Sequence, residues 1–408
     1  MASVSDRTAR ERAEGVCPVI DVDYRVERPA FWHWTELDAR REQAPVLFNR
    51  SPKPNWMITR YDDVRDALQR QDAFTNHVLS AFDGPRPTEP RLLPQNLNGV
   101  EHTQYRQVLN SWFSPGGVRR IEPLARTRCQ AMLDELKPRG GCDLAVDFAM
   151  LYPTEVFLAM LGLPTEDGAY LLPLVEGMFR GFFGGDAGEM AAVVAEIRAY
   201  YERILDDRLA HPGDVTTDFV THLVHARVGG EPLSRDDVLT ICMTIMAAGL
   251  DTTRSALGYI FEHLATHDDD RRHLVAHPEA IPEAVEEFVR LYALIIQDGR
   301  LVADDVEIRG CPIARNDVLW LGLAQANRDP RRFPEPTEFR LGRAFTKHLG
   351  FGAGAHRCLG AHLARAELAI VLEEWLVRIP EFRTAAGAEL RERGGQLRLQ
   401  SVPLEWDV

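Results

Sequence analysis

The sequence of 408 residues predicts a mainly α-helical protein with a small β portion, folded as one compact unit. Three observations support this class. Apolar residues recur at helical spacing through the middle of the chain, and the longest such pattern exceeds 30 residues. Strand-like runs are short and are bounded by proline or glycine. No internal repeat, low-complexity tract or clear linker divides the chain.

The individual elements follow from local signals. Apolar spacing predicts helices over 62–70, 118–135, 191–210, 234–267, 282–291 and 359–378. Short strands are predicted within 45–60, within 301–321 and on both sides of the Gly394-Gly395 turn. Ser234 is a suitable N-cap with Asp237 at the third helical position, so a helix of over 30 residues should begin there and cross the core. The proline-rich stretch 328–347 should be irregular.

Composition excludes several classes of protein. The chain has 45% apolar residues and a net charge of −14, so it is neither largely disordered nor suited to bulk nucleic-acid binding. Its N-terminus lacks the apolar region of a signal peptide, and no run of 18 uncharged apolar residues suggests a membrane span. We therefore expect a cytoplasmic protein that binds neither nucleic acid nor membrane.

The six cysteines are widely spaced and form no CxxC pair, so a zinc ribbon or finger is unsupported. We expect free thiols in a reducing compartment, with five of the six acting as small buried apolar groups. The exception is Cys358, which lies in the glycine-rich segment FGAGAHRCLG, residues 351–360.

Segment 351–360 should deliver one cysteine to the N-terminus of an apolar helix, where backbone N–H groups favour a thiolate. Gly352 and Gly354 permit tight backbone geometry, and Gly360 lets the helix approach a flat ligand. A lone thiolate suits an axial haem ligand better than a zinc site. The alternative is a buried cysteine beside a structural turn.

This motif resembles the cytochrome P450 family of haem-thiolate monooxygenases. The family's E-x-x-R signature is matched by Glu287 and Arg290, about 70 residues before Cys358, and implies a structural pair that locks the 328–347 stretch. The resemblance implies a single-domain cytochrome P450 fold with haem b. We expect an N-terminal extension at 1–30 and one haem-binding domain at 31–408.

A further motif of the family lies in the long helix, at residues 247–253 (AAGLDTT). The resemblance implies that the helix opens locally near Gly249, that Thr252 hydrogen-bonds bound dioxygen and that Asp251 carries protons inward. The non-catalytic alternatives are an exposed aspartate and a threonine whose hydroxyl is hydrogen-bonded to its own helix. We expect a buried Asp251 to form a salt bridge with Arg180 that opens during turnover.

The resemblance also implies four residues that bind the haem propionates: His102, Arg106, Arg300 and His356. Two buried carboxylates need cationic or hydrogen-bonding partners, and His102 and Arg106 share one helix face. Any of the four could instead be a surface residue.

Within the family the chain is similar to the camphor-hydroxylating bacterial branch, except that the tyrosine which holds a ketone substrate there falls near Pro90. The residues expected over the haem are Phe82, Leu92, Leu93, Thr244, Ala247, Leu294, Ile295 and Ile296. Most are apolar, which favours a small hydrophobic substrate such as a terpenoid or an aromatic compound. Several could equally be ordinary core.

No flavin or nicotinamide motif is present, so electrons should come from a separate protein, a [2Fe-2S] or similar ferredoxin with its reductase. Lys347, Arg357 and Arg365 are the expected contacts. We expect a monomer that inserts one atom of dioxygen into a C–H bond. The alternatives are a peroxide-driven haem enzyme, which usually lacks the acid–alcohol pair, and a non-catalytic helper protein, which usually lacks the cysteine.

Overall fold

A computed structural model describes residues 13, 15–78, 80–82, 91–182, 186–296, 298–345 and 347–408. The described α-helices are α1 (Trp32–Gln43), α2 (Tyr61–Gln69), α3 (Gly99–Phe113), α4 (Pro115–Arg119), α5 (Glu122–Leu136), α6 (Leu151–Met160), α7 (Gly168–Phe182), α8 (Ala187–Ala210), α9 (Phe219–His225), α10 (Arg235–Thr266), α11 (Asp268–Ala276), α12 (Ile281–Leu291), α13 (Leu323–Asn327) and α14 (Ala361–Arg378). Single turns of 3₁₀ helix lie at Lys137–Arg139, Thr165–Asp167 and Pro278–Ala280, and a π-helical turn at Leu144–Phe148.

The described strands are β1 (Val19–Ile20), β2 (Arg28–Pro29), β3 (Val46–Asn49), β4 (Asn55–Ile58), β5 (Phe74–Thr75), β6 (Gly141–Asp143), β7 (Arg227–Val228), β8 (Glu231–Pro232), β9 (Gly299–Val302), β10 (Val306–Ile308), β11 (Cys311–Ile313), β12 (Val318–Leu321), β13 (Arg383–Thr384), β14 (Arg391–Arg393), β15 (Arg398–Leu399) and β16 (Pro403–Glu405). The mainly helical class with small sheets is confirmed.

Helix α10 confirms the long helix that the sequence predicts. It contains 32 residues and begins with a capping box, in which Ser234 Oγ accepts the Asp237 amide at 3.1 Å and the Asp237 side chain accepts the Ser234 amide at 3.4 Å. At 1.5 Å per residue it spans about 48 Å. Leu250, Leu257 and Ile260 are buried in the larger apolar cluster, so the helix runs through the core. No helix in the described part of the chain is long and apolar enough to cross a bilayer.

A six-stranded sheet lies beside the helical core in the order β1-β3-β4-β12-β9-β5. Strands β3 and β4 form the hairpin predicted within 45–60, and β12 pairs with β4 in parallel, with Trp320 opposite Met57. The register places Arg300 of β9 opposite Leu319 of β12. A second, smaller apolar cluster packs on this sheet and includes Phe48 and Trp56.

Part of the expected 1–30 extension is built into the sheets. Strand β1 pairs in parallel with β3, and β2 pairs with β14 near the C-terminus. The expectation that all cysteines are free thiols is wrong, because Cys17 and Cys311 form a disulfide with Cα atoms 6.1 Å apart. The two cysteines are 294 residues apart in sequence, so no local pattern could have indicated their pairing.

The irregular segment 328–347 is held by α12. Glu287 and Arg290 form a buried bidentate salt bridge with both N–O distances at 2.7 Å, as their spacing predicts. Arg290 also donates to the carbonyls of Asn327, Pro336 and Glu338, at 2.9, 2.7 and 3.0 Å. On the other side of the pair, the amide of Arg340 and the guanidinium of Arg343 donate to Glu287, at 3.0 and 2.7 Å. The pair thus satisfies polar groups along most of the segment.

We predict that Glu287→Ala destabilises the fold by about 3–5 kcal/mol, because it leaves the buried Arg290 charge without its carboxylate. Urea unfolding of the purified protein measures the effect. Asp66→Ala is the control, since Asp66 forms an exposed pair with Arg70 on α2 and should change the free energy of unfolding by less than about 1 kcal/mol. Equal losses in the two variants would contradict the structural role of Glu287.

Candidate functional site

Residues 351–360 form a tight loop that ends at the N-terminus of α14. The Cys358 amide donates to the Phe351 carbonyl at 2.8 Å, which closes the loop on itself. Gly352 and Gly354 both have positive φ, 66° and 70°. A Cβ on Gly354 would lie 2.4 Å from the Leu68 carbonyl oxygen, so the close neighbour of this glycine is helix α2.

The thiol of Cys358 lies in an environment of opposing effects. Desolvation by the surrounding residues raises the pKa of the thiol above its ordinary value, and the Gly360 amide and the guanidinium groups of Arg106, Arg357 and Arg365 offset this only in part. The residue itself is exposed, although α14 begins three residues later and is largely buried. Gly360 has no atom within 4 Å of an added Cβ, so open space lies beside the start of the helix. The cysteine therefore borders a gap at the N-terminus of α14.

Two imidazoles, from His102 on α3 and His356 in the loop, lie with ring centroids 3.9 Å apart. Burial and the nearby arginines lower the pKa of His102 to about 4. Burial, His102 and the arginines lower the pKa of His356 to about 3, so both rings are neutral at pH 7. Asn76 Nδ2 lies 2.8 Å from His356 Nδ1 and 3.0 Å from the Gln95 carbonyl, which makes the amide nitrogen the donor.

That arrangement leaves a proton on Nε2 of His356, where the ring can only donate. His356 Nε2 and His102 Nδ1 are both buried and have no hydrogen-bond partner among the residues that the structure describes. A buried donor without an acceptor costs about 1–3 kcal/mol. The two nitrogens therefore indicate a missing polar partner at this place.

Two guanidinium groups complete the cationic lining that was predicted for the propionates. Arg106 Nη2 donates to the Arg357 carbonyl at 3.0 Å, which ties α3 to the cysteine loop. Arg300 is buried and donates to Asp298 Oδ1 at 2.6 Å. Both influence the His356 ring electrostatically, so the structure brings His102, Arg106, Arg300 and His356 into one region.

These features fit a haem. A thiol borders a gap, buried nitrogens lack acceptors, and arginines next to them would compensate two carboxylates. The N–H of His356 and the guanidinium groups could hold the propionates, and Cys358 could hold the iron.

Helix α10 runs without interruption through residues 247–253, so the expected local opening near Gly249 is wrong in this structure. A Cβ on Gly249 would lie 2.6 Å from the ring of Phe157 on α6, and this close packing requires a glycine. Ala248 is exposed, whereas Asp251 and Thr253 in the same segment are buried. Space therefore lies beside the middle of α10.

The acid and the alcohol occupy different environments. Thr252 Oγ1 donates to the Ala248 carbonyl at 3.0 Å, which is the helix-bonded alternative. Asp251 is 2% exposed, so the exposed alternative does not hold for the acid. Its Oδ2 accepts from Arg393 and Gln396 at 2.7 and 2.6 Å, and its Oδ1 accepts from Arg398 at 2.5 Å.

The expected salt bridge between Asp251 and Arg180 is wrong in this structure. Arg180 lies near the end of α7, is exposed and pairs with Glu189 on α8 at 2.8 Å. Both oxygens of Asp251 accept hydrogen bonds from the β14–β15 hairpin, so the carboxylate is paired without Arg180. The sequence did not indicate the true partners, because they lie more than 140 residues away.

Comparison with known proteins identifies the family. The family model for cytochrome P450 matches residues 166–276 and 274–379. The mycinamicin IV hydroxylase/epoxidase of Micromonospora griseorubida is 32% identical over 90% of this chain and 93% of its own. The chain belongs to the cytochrome P450 family. A probable cytochrome P450 of Sinorhizobium fredii is also 32% identical, over 89% of this chain and 87% of its own.

Solved structures agree with this assignment. The crystal structure of CYP101J2 superposes with a TM-score of 0.85 and 30% identity, covering 96% of this chain and 97% of that one. CYP101C1 also gives a TM-score of 0.85, with 28% identity over 97% of this chain and all of that one. The fold, the haem b cofactor and the monooxygenase class of this cytochrome P450 are those of the family.

The residues expected to line the substrate pocket divide into two groups. Phe82, Leu93 and Ile296 are at most 1% exposed, and Phe82 packs edge-on against Trp320 with centroids 4.9 Å apart. These three therefore belong to the packed core, because water cannot reach them. The partly exposed residues are Leu92, Thr244, Ala247, Leu294 and Ile295. Pro90, where the camphor branch has its tyrosine, lies outside the described residues.

A buried carboxyl next to the acid–alcohol pair was missed by the sequence interpretation. Glu367 of α14 is 3% exposed and accepts from Thr253 Oγ1 at 2.9 Å, which joins α14 to α10. Burial raises its pKa to about 8. The helical periodicity of α14 places Glu367 among apolar core positions, and a charged residue there was the available signal.

We predict that Glu367 makes the fold less stable as pH rises. Between pH 4.5, its ordinary pKa, and about 8 the folded chain keeps a proton that the unfolded chain releases, so the free energy of unfolding falls across this interval. Glu367→Gln should flatten that dependence. Urea unfolding at pH 5 and pH 8 measures it, and an equal difference between the two pH values in both proteins would contradict the prediction.

Proposed function

We propose that Cys358 is the thiolate ligand of the haem and that this cytochrome P450 hydroxylates a small hydrophobic substrate with electrons from a separate iron–sulfur ferredoxin. The observation that carries the proposal is the loop at 351–360, which places an exposed cysteine beside buried imidazole nitrogens that lack acceptors. When bound, haem supplies the iron centre at which dioxygen is activated for insertion into a C–H bond.

The propionates are proposed to lie against His102, Arg106, Arg300 and His356. His356 donates from Nε2, which its contact with Asn76 leaves protonated. Arg300 is oriented by Asp298, and Arg106 is oriented by the loop carbonyl of Arg357. The neutral imidazoles add hydrogen-bonding groups without positive charge, and the two guanidinium groups supply the cationic partners that buried carboxylates need.

Asp251 and Thr252 are proposed to move protons. Asp251 is ionisable and buried, and it can exchange a proton only when the hairpin releases one of its oxygens. Thr252 presents a hydroxyl one residue further along α10, next to the exposed Ala248. Rotation of that hydroxyl away from the Ala248 carbonyl would let it hold a proton or a water in the gap.

The substrate class follows from the partly exposed side chains. Leu92, Ala247, Leu294 and Ile295 offer apolar surface, and Thr244 directs its hydroxyl to the Thr240 carbonyl at 2.8 Å. Apolar walls favour a terpenoid or an aromatic compound. The names of two relatives, "Methyl-branched lipid omega-hydroxylase" and "Mycinamicin IV hydroxylase/epoxidase", state different substrates, so similarity by itself selects none.

Lys347 and Arg357 support the ferredoxin proposal. Both are exposed and flank or belong to the cysteine loop, on a chain whose net charge is −14. A local positive surface on an acidic protein steers an acidic partner to that face. Arg365 is less suited than expected, because it pairs with Glu286 at 2.9 Å and stacks on the Phe351 ring at 4.4 Å.

The alternatives make different demands on the same residues. A peroxide-driven enzyme does not require a buried acid beside a threonine. In this chain two arginines and a glutamine donate hydrogen bonds to such an acid, Asp251. A helper protein without haem would leave the buried nitrogens of His102 and His356 unsatisfied. Both observations favour the ferredoxin-dependent monooxygenase.

The proposal predicts the spectrum of the dithionite-reduced, CO-bound protein. Wild type should show the far-red Soret band of thiolate ligation, and Cys358→Ala should lose it. Cys242→Ala is the control, because Cys242 is fully buried in α10 and should leave the band in place. A histidine-type band in wild type, or the same band in Cys358→Ala, would overturn Cys358 ligation, and protein without haem would favour the helper. Spin shifts with terpenoid and aromatic libraries then identify substrates.

We predict that Thr252→Ala keeps haem and substrate spin shifts but lowers product per electron by about tenfold or more, with peroxide released instead. The measurement is product and peroxide formed per NADH oxidised with ferredoxin and reductase. Thr266→Ala is the matched control, because Thr266 makes the same helix-internal bond, to the Glu262 carbonyl at 2.9 Å. Undiminished coupling in Thr252→Ala would refute the relay.

A further inference from the structure

The hairpin of β14 and β15 is attached to α10 at two points. Near its turn, Arg393, Gln396 and Arg398 all donate to the Asp251 carboxylate, at distances of 2.5 to 2.7 Å. One residue before Arg393, the fully buried Glu392 accepts from the Tyr259 hydroxyl at 2.8 Å. Asp251 and Tyr259 are eight residues apart on α10, so the hairpin and the helix are held together over two helical turns.

Glu392 is fixed from a third direction as well. Oε1 accepts from the His33 amide at 2.9 Å and lies 2.7 Å from His33 Nδ1, at the start of α1. The strand that carries Glu392 is thus held at both Tyr259 and His33. The turn at residues 394–397 is buried as well, and its Gly395 amide donates to the Tyr24 carbonyl at 2.9 Å.

The same turn binds the segment that follows α12. The Ile296 amide donates to the Gly395 carbonyl at 3.3 Å, and the Leu397 amide donates to the Leu294 carbonyl at 2.8 Å. Between these two bonds, Ile295 and Gln396 face each other as an antiparallel bridge. Leu294 and Ile295 are among the partly exposed residues proposed to meet the substrate.

Gln396 is the residue where these two connections meet. Its backbone faces Ile295, and its side-chain Nε2 donates to Asp251 Oδ2 at 2.6 Å. The side chain is 3% exposed, so water does not compete for that bond. A shift of segment 294–296 therefore moves the donor that holds the acid.

The two arginines are less suited to this connection. Arg398 is shared with Glu176, whose carboxylate it contacts at 2.8 and 3.1 Å, so Arg398 remains paired when Asp251 moves. Arg254 contacts Glu176 as well, which makes Glu176 a second anchor of the cluster. Arg393 lies on β14 next to Glu392, which is held by Tyr259 and His33.

We propose that Gln396 is a positioning residue that couples segment 294–296, which carries the partly exposed Leu294 and Ile295, to the carboxylate of Asp251. Occupation of the pocket would alter how firmly Asp251 is held, and so make proton delivery depend on the presence of substrate. This inference rests on the proposed function for the roles of Asp251 and of segment 294–296, but the coupling itself is a property of the fold.

The test is a double-mutant cycle read by amide hydrogen exchange in the haem-containing protein. Among the described residues, the hydrogen bonds of the Asp251 carboxylate go to Arg393, Gln396 and Arg398 and not to segment 294–296, so an effect of Asp251→Asn on the Ile296 amide measures coupling. We expect Asp251→Asn to accelerate exchange at Ile296 about tenfold in wild type, the factor that corresponds to one charge-assisted hydrogen bond. In a Gln396→Met background the same substitution should accelerate it less than about twofold.

Matched controls use the same substitutions nearby. Gln400→Met changes a glutamine just beyond β15, and Asp236→Asn changes an exposed aspartate in the first turn of α10 that pairs with Arg198. Neither should alter exchange at Ile296. Gln396→Leu also fills the buried space without a donor, so it should behave like Gln396→Met. If Gln396→Leu behaves like wild type, packing and not the hydrogen bond is responsible, and the proposal is overturned.

Two other results would also overturn it. Equal acceleration in both backgrounds would assign the coupling to the arginines, and no acceleration in wild type would mean that no coupling exists. If Gln396→Met does not fold, Gln396→Asn replaces it, because its shorter side chain cannot reach Asp251. The CO spectrum of each variant separates the two hypotheses: a wild type without the thiolate band counts against the proposed function, whereas the exchange cycle decides only the role of Gln396.

Discussion

The bidentate pair of Glu287 and Arg290 is the interaction on which the geometry of the cysteine loop depends. Arg290 satisfies two carbonyls of an otherwise irregular segment and that of Asn327 just before it, and Glu287 satisfies an amide and a guanidinium further along the segment. The segment leads directly into residues 347–360. Asn327, whose carbonyl is bound by Arg290, also accepts the Leu349 amide at 2.6 Å through its side chain. These hydrogen bonds hold the irregular segment 328–347 in one conformation.

A second cluster of charged residues surrounds Asp251 on α10. Asp251 and Glu176 share Arg398, and Arg393 and Arg254 complete the cluster. Buried charges are costly unless every one is paired, so such a cluster adds less to stability than to specificity of arrangement. Here the arrangement fixes a hairpin against the middle of α10 and places a titratable group where the helix borders open space. Stability and function are therefore carried by different charge systems.

Between the two systems lies the contact of α10 with α14. Thr253 and Glu367 connect the helix that bears the acid and alcohol to the helix that follows the cysteine. A buried carboxyl with a raised pKa remains neutral at pH 7, so this connection adds no charge to a site that already holds several arginines.

Much of the fold was predictable because its signals are local. The capping box at Ser234, the repeat that makes α10, and the spacing of Glu287 and Arg290 each lie within a few residues. The tight turn at 351–360 was also predictable from sequence, since Gly352 and Gly354 mark positions of positive φ just before an apolar helix. Gly249 was misinterpreted because the reason for a glycine at this position is not local. The glycine makes room for the ring of Phe157, which is far away in sequence.

By itself, the sequence determined the helical class, the long central helix, the cysteine loop and the residue types available for chemistry. Only the tertiary structure decided which of those residues meet. The Cys17–Cys311 disulfide, the bond from Thr253 to Glu367 and the binding of Asp251 by Gln396 join positions 294, 114 and 145 residues apart. Periodicity and capping act over a few residues, whereas the pairing of buried charges depends on which elements pack together, and that is settled by the whole core at once.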